Sequence, residues 1–189
     1  MDFLDMVKKR RSIRQFKDRE VSKEDLVSLV DTAHYAPSYA NLQLVRYLLV
    51  HSPNKVLDLS QNSLLSLPGL SLKESASIPG AYIALLAPKG VSKNIYFEAG
   101  AIFQNIAHHA LDLSLGSCWL QTYAEGKIRD ILALEDEQEL LGLIALGYPA
   151  ENPIAENTTV SLTFEDLKVG SKNYARVPKM NSKYLISWL

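Results

Sequence analysis

Apolar and polar residues along this chain follow two different periods. From Leu26 to Ala33 apolar residues recur at helical spacing, which predicts an amphipathic helix. Ser22, with an acidic residue three positions later, is typical of its N-cap, and Pro37 marks the point beyond which it cannot continue. A shorter apolar pattern from Phe3 to Val7 predicts a first helix that ends in the basic residues 8–11.

Short, strongly apolar runs that end in turn residues predict β-strands. Four runs have this form, and the first two are predicted to be buried: 45–51, 81–87, 117–120 and 140–146. Further helices are predicted at 94–115, which carries little charge and should run through the core, and at 127–134. The polar residues 150–159 predict irregular structure. Interleaved helices and strands favour a layered α/β or α+β sandwich over a bundle or a barrel.

Composition limits the class of protein. With 189 residues, 47% of them hydrophobic and 22% charged, the chain has the size and balance of one globular domain and not of a disordered segment. The net charge of −1 provides no field for nucleic acid or an anionic membrane, so neither is an expected partner. The single cysteine, Cys118, excludes an intrachain disulfide. No secretory signal or long apolar span is recognisable, so we expect a cytoplasmic protein.

The sequence Arg10-Arg11-Ser12-Ile13-Arg14 is the densest chemical signal in the chain. It brings guanidinium groups and a hydroxyl close together, and planar guanidinium groups match the oxygens of a phosphate. The sequence therefore predicts an anion-binding site. A solvated basic helix end has the same composition and is the alternative at this point.

A second polar segment, from Pro37 to Gln43, follows the predicted second helix. Ser38, Asn41 and Gln43 place hydroxyl and amide groups on it, each able to donate and to accept hydrogen bonds. A planar heterocycle with alternating carbonyls and ring nitrogens requires such a mixture of groups. Ordinary loop polarity is the alternative interpretation.

Taken together and in this order, the two segments resemble the hallmarks of the FMN-dependent nitroreductase family of NAD(P)H:flavin and nitro oxidoreductases. These hallmarks are an Arg-x-Ser-x-Arg/Lys stretch and, later, an Ala-Pro-Ser-x-x-Asn-x-Gln loop. Residues 98–105 and 115–119 are similar to the family's central helix and the Gly-Ser-x-Trp strand after it. Residues 141–149 are similar to its closing strand and Gly-Tyr-Pro turn. The resemblance covers residues 2–150.

The resemblance implies a fold and a domain organisation. The fold would be an α+β sandwich with a central, mostly antiparallel sheet flanked by helices and with the C-terminal segment exchanged in a homodimer. Residues 1–189 would form one FMN-binding domain, with its core in 1–150 and a C-terminal extension or dimer arm in 151–189. The tail ends in an apolar cluster that either packs on its own subunit or extends across the dimer: Tyr184, Leu185, Ile186, Trp188 and Leu189.

The resemblance also implies a flavin site with two halves. The FMN phosphate, the ribityl chain and the N1/C2 edge of the isoalloxazine would contact Arg10, Arg11, Ser12 and Arg14. The flavin would be lined further by Pro37, Ser38, Tyr39, Asn41 and Gln43. Backbone groups near Leu120 and Gln121 would approach its N5 edge.

The activity implied by the resemblance is transfer of a hydride from NADH or NADPH, through FMN, to a nitroaromatic, a quinone or a similar small acceptor. Because the flavin carries out this chemistry, we expect no catalytic side chain and no metal ion. The alternative is a non-catalytic or weakly flavin-binding member that keeps the fold as a binding or structural dimer.

Three departures from the family pattern bear on this expectation. The family commonly has an Asp where this chain has Glu98. Leu44 and Val45 stand where the family usually has a Pro-Trp pair. No Lys or Arg occurs from 150 to 167, where the family usually has one or two basic residues that complete the phosphate site. The candidates to replace them are Thr159, Ser161, Lys168, Lys172 and Arg176.

Other reactive residues have simpler interpretations. Cys118 lies beside Trp119 on an apolar strand, which is typical of a small buried side chain and not of a nucleophile. His108 and His109 are adjacent in a predicted helix and point about 100° apart, so they do not converge easily on one metal ion. Glu98, in the same helix, is predicted to be a cap or a salt-bridge partner.

Overall fold

The computed structural model describes residues 2–63, 77–121, 123–158 and 176–180, together with Ser182 and Leu185. In this part of the chain helices and strands alternate, with a short 3₁₀ turn over Tyr39–Asn41. The helices are α1 (Phe3–Lys9), α2 (Lys23–Ala33), α3 (Pro53–Asn62), α4 (Ile95–Asp112) and α5 (Glu125–Leu132). The strands are β1 (Arg46–Val50), β2 (Ala81–Pro88), β3 (Gly116–Leu120), β4 (Gln138–Gly147), β5 (Ile154–Thr158) and β6 (Arg176–Met180).

Four strands form one antiparallel sheet in the order β1-β2-β4-β3. The two central strands are buried along most of their length. β1 lies at an edge, where only Val50 is fully buried. The expectation of a buried strand is therefore confirmed for 81–87 and wrong for 45–51. An edge strand has one neighbour in the sheet, and apolar composition alone does not reveal that position.

The two faces of the sheet carry separate hydrophobic cores, because successive residues of a strand point to opposite faces. In β2, Ile83 and Leu85 belong to a core that includes residues of α2 and α4. Tyr82 and Leu86 belong to the other core, which includes residues of α3 and α5. Helices thus cover both sides of an antiparallel sheet, which confirms the predicted α+β sandwich. Within the described ranges, no helix combines the length and the apolar character needed to cross a membrane.

The predicted helices are present, and their ends differ from the expected ones by a few residues. The N-cap of α2 is confirmed, since the Ser22 hydroxyl oxygen accepts a hydrogen bond from the backbone N–H of Asp25 at 3.0 Å. Basic residues occupy the last turn of α1, where the helix dipole favours positive charge.

Two segments form elements that the pattern does not predict. The turn residues that close the first apolar run, Ser52-Pro53-Asn54, also begin α3, with proline in the first helical turn and Val56 and Leu59 on the buried face. Residues 150–159 were expected to be irregular, but Ile154–Thr158 forms β5, which pairs in parallel with β6. A polar segment becomes a strand here because a distant part of the chain supplies its hydrogen-bond partner.

Candidate functional site

The basic segment, Arg10–Arg14, lies against β3. Ser12 bridges Ser117, and the backbone N–H of Ile13 donates to the Ser117 carbonyl oxygen at 2.9 Å. A Cβ on Gly116 would lie 2.7 Å from Ile13 atoms. Because real Cβ contacts do not come so close, glycine at 116 permits the segment to approach the strand.

Arg11 is the most enclosed cation of the basic segment, with 9% of its surface exposed. Its terminal nitrogens donate to the carbonyl oxygens of Lys8 and Arg10, whereas its buried Nε has no partner. Burial lowers the pKa of Arg11, and burial together with the charge of Arg11 lowers the pKa of Arg10. Closely spaced, partly desolvated cations with an unused buried donor fit an anionic ligand.

A cavity of about 90 Å³ lies beside this segment and is lined in part by Lys9, Arg10 and Arg11. Glu151 also lines it. The Glu151 carboxylate accepts hydrogen bonds from the backbone N–H groups of Arg14 and, at 3.1 Å, Gln15. This carboxylate therefore fixes the backbone of the basic segment, and it also brings negative charge to the same cavity.

A further cation comes from β6. Burial, and then the charges of Arg11 and Arg10, lower the pKa of Lys179, so this lysine is electrostatically coupled to the basic segment. Among the candidates to supply the missing cation, the residues at 159, 161, 168 and 172 lie outside the described residues, and Arg176 begins β6. The sequence pattern missed Lys179, because only the pairing of β6 with β5 brings it back.

The polar loop, Pro37–Gln43, has an unusual backbone. Ala40, Asn41 and Gln43 have φ angles of 47°, 56° and 49°. These angles lie in the left-handed region, which costs roughly 1–2 kcal/mol for a residue with a Cβ and less for asparagine. The loop therefore holds its shape only with support from its surroundings.

Part of that support is internal to the loop. The backbone N–H of Gln43 donates to the Ser38 hydroxyl oxygen at 3.3 Å, and the Gln43 side-chain amide donates to the Asn41 amide oxygen at 3.1 Å. Tyr39 is 60% exposed. The polar groups predicted to line a ligand thus lie together on one exposed turn.

Glu98 supplies support from another element. It lies in the first turn of α4, is 7% exposed, and accepts a hydrogen bond from the backbone N–H of Tyr39 at 2.6 Å. Of the two roles expected for Glu98, helix cap and salt-bridge partner, the first is wrong, since no side chain caps α4. Among the described residues Glu98 has no ion pair. The carboxylate is turned toward a loop that is distant in sequence.

The basic segment and the polar loop line separate cavities toward opposite ends of α4. Glu98 and Ile102 line the cavity at the polar loop, which measures about 240 Å³. Ala107 and Leu111 line the cavity at the basic segment. With a rise of 1.5 Å per residue, Glu98 and Ala107 lie about 13 Å apart along the helix. One chain therefore does not bring the two predicted halves into a single cavity.

The third predicted contact lies at the end of β3, whose last residue is Leu120. The Leu120 side chain packs in the core with 3% exposure, so only its backbone is available to a ligand, whereas Gln121 is exposed.

Cys118 is buried, and burial raises the pKa of its thiol. His109 lies 2.6 Å from the Thr32 hydroxyl, and His108 lies 3.1 Å from the Gln104 amide, so the two histidines have different partners.

Comparison with known proteins identifies relatives over most of the chain. A curated protein of Archaeoglobus fulgidus named “Putative NADH dehydrogenase/NAD(P)H nitroreductase” is 28% identical over 156 residues, or 78% of this chain and 86% of the relative. Solved structures also share the fold, among them the two that follow. The “FMN-dependent Nitroreductase” of Clostridium difficile R20291 is 26% identical with a TM-score of 0.67, and the match covers 90% of this chain and 98% of that one.

The other structure, from Desulfovibrio desulfuricans, is described as “a putative nitroreductase in complex with fmn”. It is 23% identical, has a TM-score of 0.68, and the match covers 87% of this chain and 93% of that one. The family model described as “Nitroreductase family” matches residues 7–148. These residues contain the basic segment, the polar loop and the whole antiparallel sheet, and the chain belongs to the nitroreductase family.

Proposed function

We propose that this protein is an FMN-dependent oxidoreductase that takes a hydride from NADH or NADPH and passes reducing equivalents to a nitroaromatic, a quinone or a similar small acceptor. Family membership supports the flavin chemistry. The observation that carries the proposal is the cluster of cations at one cavity, which Lys9, Arg10 and Arg11 line together and where the buried Nε of Arg11 has no hydrogen-bond partner. A phosphate monoester supplies the acceptor oxygens and the negative charge that this cavity fits.

Each half of the site has a separate task in this proposal. Arg10 and Arg11, together with Lys179, bind the phosphate of FMN. Among the described residues the Arg14 guanidinium makes one recorded hydrogen bond, a long one of 3.4 Å to the Ser12 carbonyl oxygen, so most of its donors are unused. It is therefore available to place a positive charge beside the N1/C2 edge of the flavin.

The polar loop orients the ring system. Ser38, Asn41 and Gln43 present hydroxyl and amide groups on an exposed turn, and these groups match ring carbonyls and nitrogens. Bound FMN supplies the hydride acceptance and transfer. Electron density near N1 increases when a flavin is reduced, so a cation at Arg14 stabilises the reduced form and favours hydride acceptance.

The separation of the two halves supports a homodimer, with each flavin held by the basic segment of one subunit and the polar loop of the other. Apolar side chains on the outside of one subunit fit this arrangement, among them Phe3, Phe97 and Leu185, which are 73%, 79% and 68% exposed. We propose further that residues 151–189 form an arm that crosses the interface of this single-domain protein. Of the apolar tail, only Leu185 lies within the described residues.

Truncation tests the arm. Ending the chain after Arg176 should weaken dimerisation and FMN binding together, because burial of each lost apolar side chain contributes roughly 1.5–3 kcal/mol. Light scattering and flavin content measure the two effects. A truncated protein that is a stable dimer with full FMN content would contradict the arm, as would an intact monomer that binds FMN normally.

Spectroscopy tests the function. We expect the purified protein, or the protein reconstituted with excess FMN, to absorb at about 450 nm and to bleach anaerobically on addition of NADH or NADPH. Subsequent addition of a quinone or a nitroaromatic should restore the flavin absorbance. A protein that remains colourless after reconstitution, or a bound flavin that neither cofactor reduces, would contradict the proposal.

One observation favours a second candidate, a weakly flavin-binding or non-catalytic member that keeps the fold as a binding or structural dimer. Glu151 places a carboxylate in the cavity that should take the phosphate, and no Lys or Arg occurs from 150 to 167. Reconstitution with FMN, as in the spectroscopic test, decides between the two candidates. A dimer that does not retain FMN at micromolar concentrations supports the second.

A further inference from the structure

The conformation of the polar loop is costly for its own sequence. Ala40 is the clearest case, with φ 47° and ψ 25° and no polar side chain to compensate. Residues with a Cβ adopt such angles when the surrounding structure over-determines them. The loop therefore requires contacts that do not move with it.

Most recorded hydrogen bonds of the loop are internal and move with it. The backbone N–H of Asn41 donates to the Ser38 carbonyl oxygen at 3.1 Å, and that of Leu42 donates to the Tyr39 carbonyl oxygen at 3.0 Å. Arg46, an exposed residue that follows shortly in the chain, donates to the Gln43 carbonyl oxygen at 2.7 Å. These bonds shape the turn but leave its first half unattached to the core.

Glu98 provides the attachment. Its carboxylate is almost fully buried and accepts the Tyr39 backbone N–H at 2.6 Å, and a hydrogen bond to an ionised acceptor is stronger than a neutral one. The first turn of an 18-residue helix favours a carboxylate through the helix dipole. Residues of α4 also belong to the core beneath the sheet, so the acceptor is rigidly mounted.

We propose that Glu98 is a positioning residue: it holds the polar loop in its left-handed conformation before any ligand arrives and so presets the groups of Ser38, Asn41 and Gln43. The consequence for FMN binding rests on the proposed function, whereas the effect on the free loop does not. Pre-organisation of this kind improves affinity because the loop is not ordered at the expense of binding.

The first experiment uses the free protein. In Glu98→Ala, hydrogen exchange of the Tyr39 amide, measured by NMR, should be at least about tenfold faster than in the unmodified protein, since a charge-assisted bond is lost. Glu98→Gln keeps an acceptor oxygen and should stay within about threefold. Glu139→Ala is the matched control, because Glu139 accepts one hydrogen bond from the Tyr96 hydroxyl, in the same helix turn as Glu98, but none from the loop among the described residues. It should leave the Tyr39 amide unchanged.

The second experiment measures FMN binding to the same variants by quenching of flavin fluorescence. Glu98→Ala should raise the dissociation constant at least about tenfold, and Glu98→Gln should raise it about threefold or less. Adding Ala40→Gly to Glu98→Ala should recover part of the loss, because glycine adopts the left-handed angles without steric cost. A purely structural role for Glu98 predicts no such recovery.

The outcomes separate the two proposals. Unchanged Tyr39 exchange in a folded Glu98→Ala variant overturns the positioning role. If that variant does not fold, Glu98→Leu, which fills the buried position without an acceptor oxygen, replaces it, and unchanged exchange there overturns the role equally. Faster exchange in a protein that never binds FMN supports the positioning role and contradicts the proposed function.

Discussion

The basic segment and the polar loop carry the two sequence motifs of the family, yet the structure supports them in opposite ways. The basic segment is attached to β3 by the hydrogen bond from the Ile13 N–H to the Ser117 carbonyl oxygen and to the residues after β4 by the bond from the Arg14 N–H to the Glu151 carboxylate. Just beyond the segment, the Lys17 N–H donates to the Tyr148 carbonyl oxygen at 2.7 Å. The polar loop is exposed, has three left-handed non-glycine residues, and is attached to α4 through one buried carboxylate.

This difference suggests that the basic segment determines how strongly a ligand binds and that the polar loop determines how the ligand is oriented. The basic segment gathers charge on a rigid backbone, so it is suited to hold an anion strongly. The polar loop gathers neutral donors and acceptors on a strained backbone, so it is suited to orient a ring. Substitutions in the first region should therefore act mainly on binding, and substitutions in the second on geometry.

The largest expected effects distinguish two arginines within the basic segment. Arg10→Ala should weaken FMN binding by about 1.5–3 kcal/mol, because it removes a charge-assisted contact to the phosphate. Arg14→Ala should slow flavin reduction by NADH or NADPH by a similar free energy while affecting FMN binding less. Stopped-flow reduction and flavin titration measure the two quantities. Small and equal effects of both substitutions would show that the segment is a solvated helix end.

Gly116→Ala tests the attachment of the basic segment. The new Cβ would lie 2.7 Å from Ile13, so the segment or β3 has to shift, which should cost about 1–3 kcal/mol of the free energy of unfolding. Gly100→Ala is the matched control, since nothing lies within 4 Å of a Cβ there. Alanine at this exposed helical position should stabilise by about 0.5–1 kcal/mol. Urea denaturation compares them, and equal stabilities would contradict the close approach.

Ser38→Ala tests the polar loop at smaller scale. Removing the hydroxyl eliminates the acceptor of the Gln43 backbone N–H and should weaken FMN binding by about 0.5–1.5 kcal/mol. The free energy of unfolding should change less, because the loop is exposed. Calorimetric titration and thermal denaturation separate the two effects. A loss of stability larger than the loss of binding would place Ser38 in the scaffold instead of the site.

The smallest expected effect is a shift in the pKa of His108. Burial and the charge of Arg10 lower the pKa of His108 below its ordinary value of 6.5. The native state thus binds fewer protons than the unfolded state between the two values, so stability rises with pH across this interval and is lost as the pH falls through the native pKa.

An anion at Arg10 offsets that charge, so FMN should raise the pKa of His108 toward its ordinary value. NMR titration of the His108 ring measures this shift. Arg10→Gln should raise the pKa without any ligand, which provides the control. A His108 pKa that stays the same with saturating FMN would show that the ligand does not lie beside Arg10.

Periodicity predicted the scaffold well because local pattern and burial agree there. The alternating faces of β2 and the capped helix α2 are visible in the sequence. Positions that depend on tertiary pairing are not visible in it. Among the described strands β1 has only β2 as a neighbour in the sheet, and β5 exists because β6 pairs with it.

The residues of the candidate site could be predicted from the sequence, but the long-range contacts that hold them in place could not. The motifs identified the basic segment and the polar loop as candidate sites. They gave no indication that Glu98 reaches the Tyr39 backbone, that Glu151 holds the backbone of Arg14, or that Lys179 lies near Arg11. These contacts join residues far apart in sequence. For α3 the sequence does contain a local signal, because proline is favoured in the first turn of a helix and Pro53 stands there.

The burial of Cys118 protects its thiol from thiol reagents in the folded state. It is the only cysteine of the chain, its surface is 1% exposed, and burial raises the pKa of its thiol. Its neighbour Ser117 is bridged by Ser12 of the basic segment. Alkylation by a maleimide or a disulfide reagent must therefore wait until β3 opens. The rate of alkylation, which can be measured at this native cysteine without introducing another one, reports how often β3 separates from the sheet. A ligand bound at the basic segment should slow the alkylation.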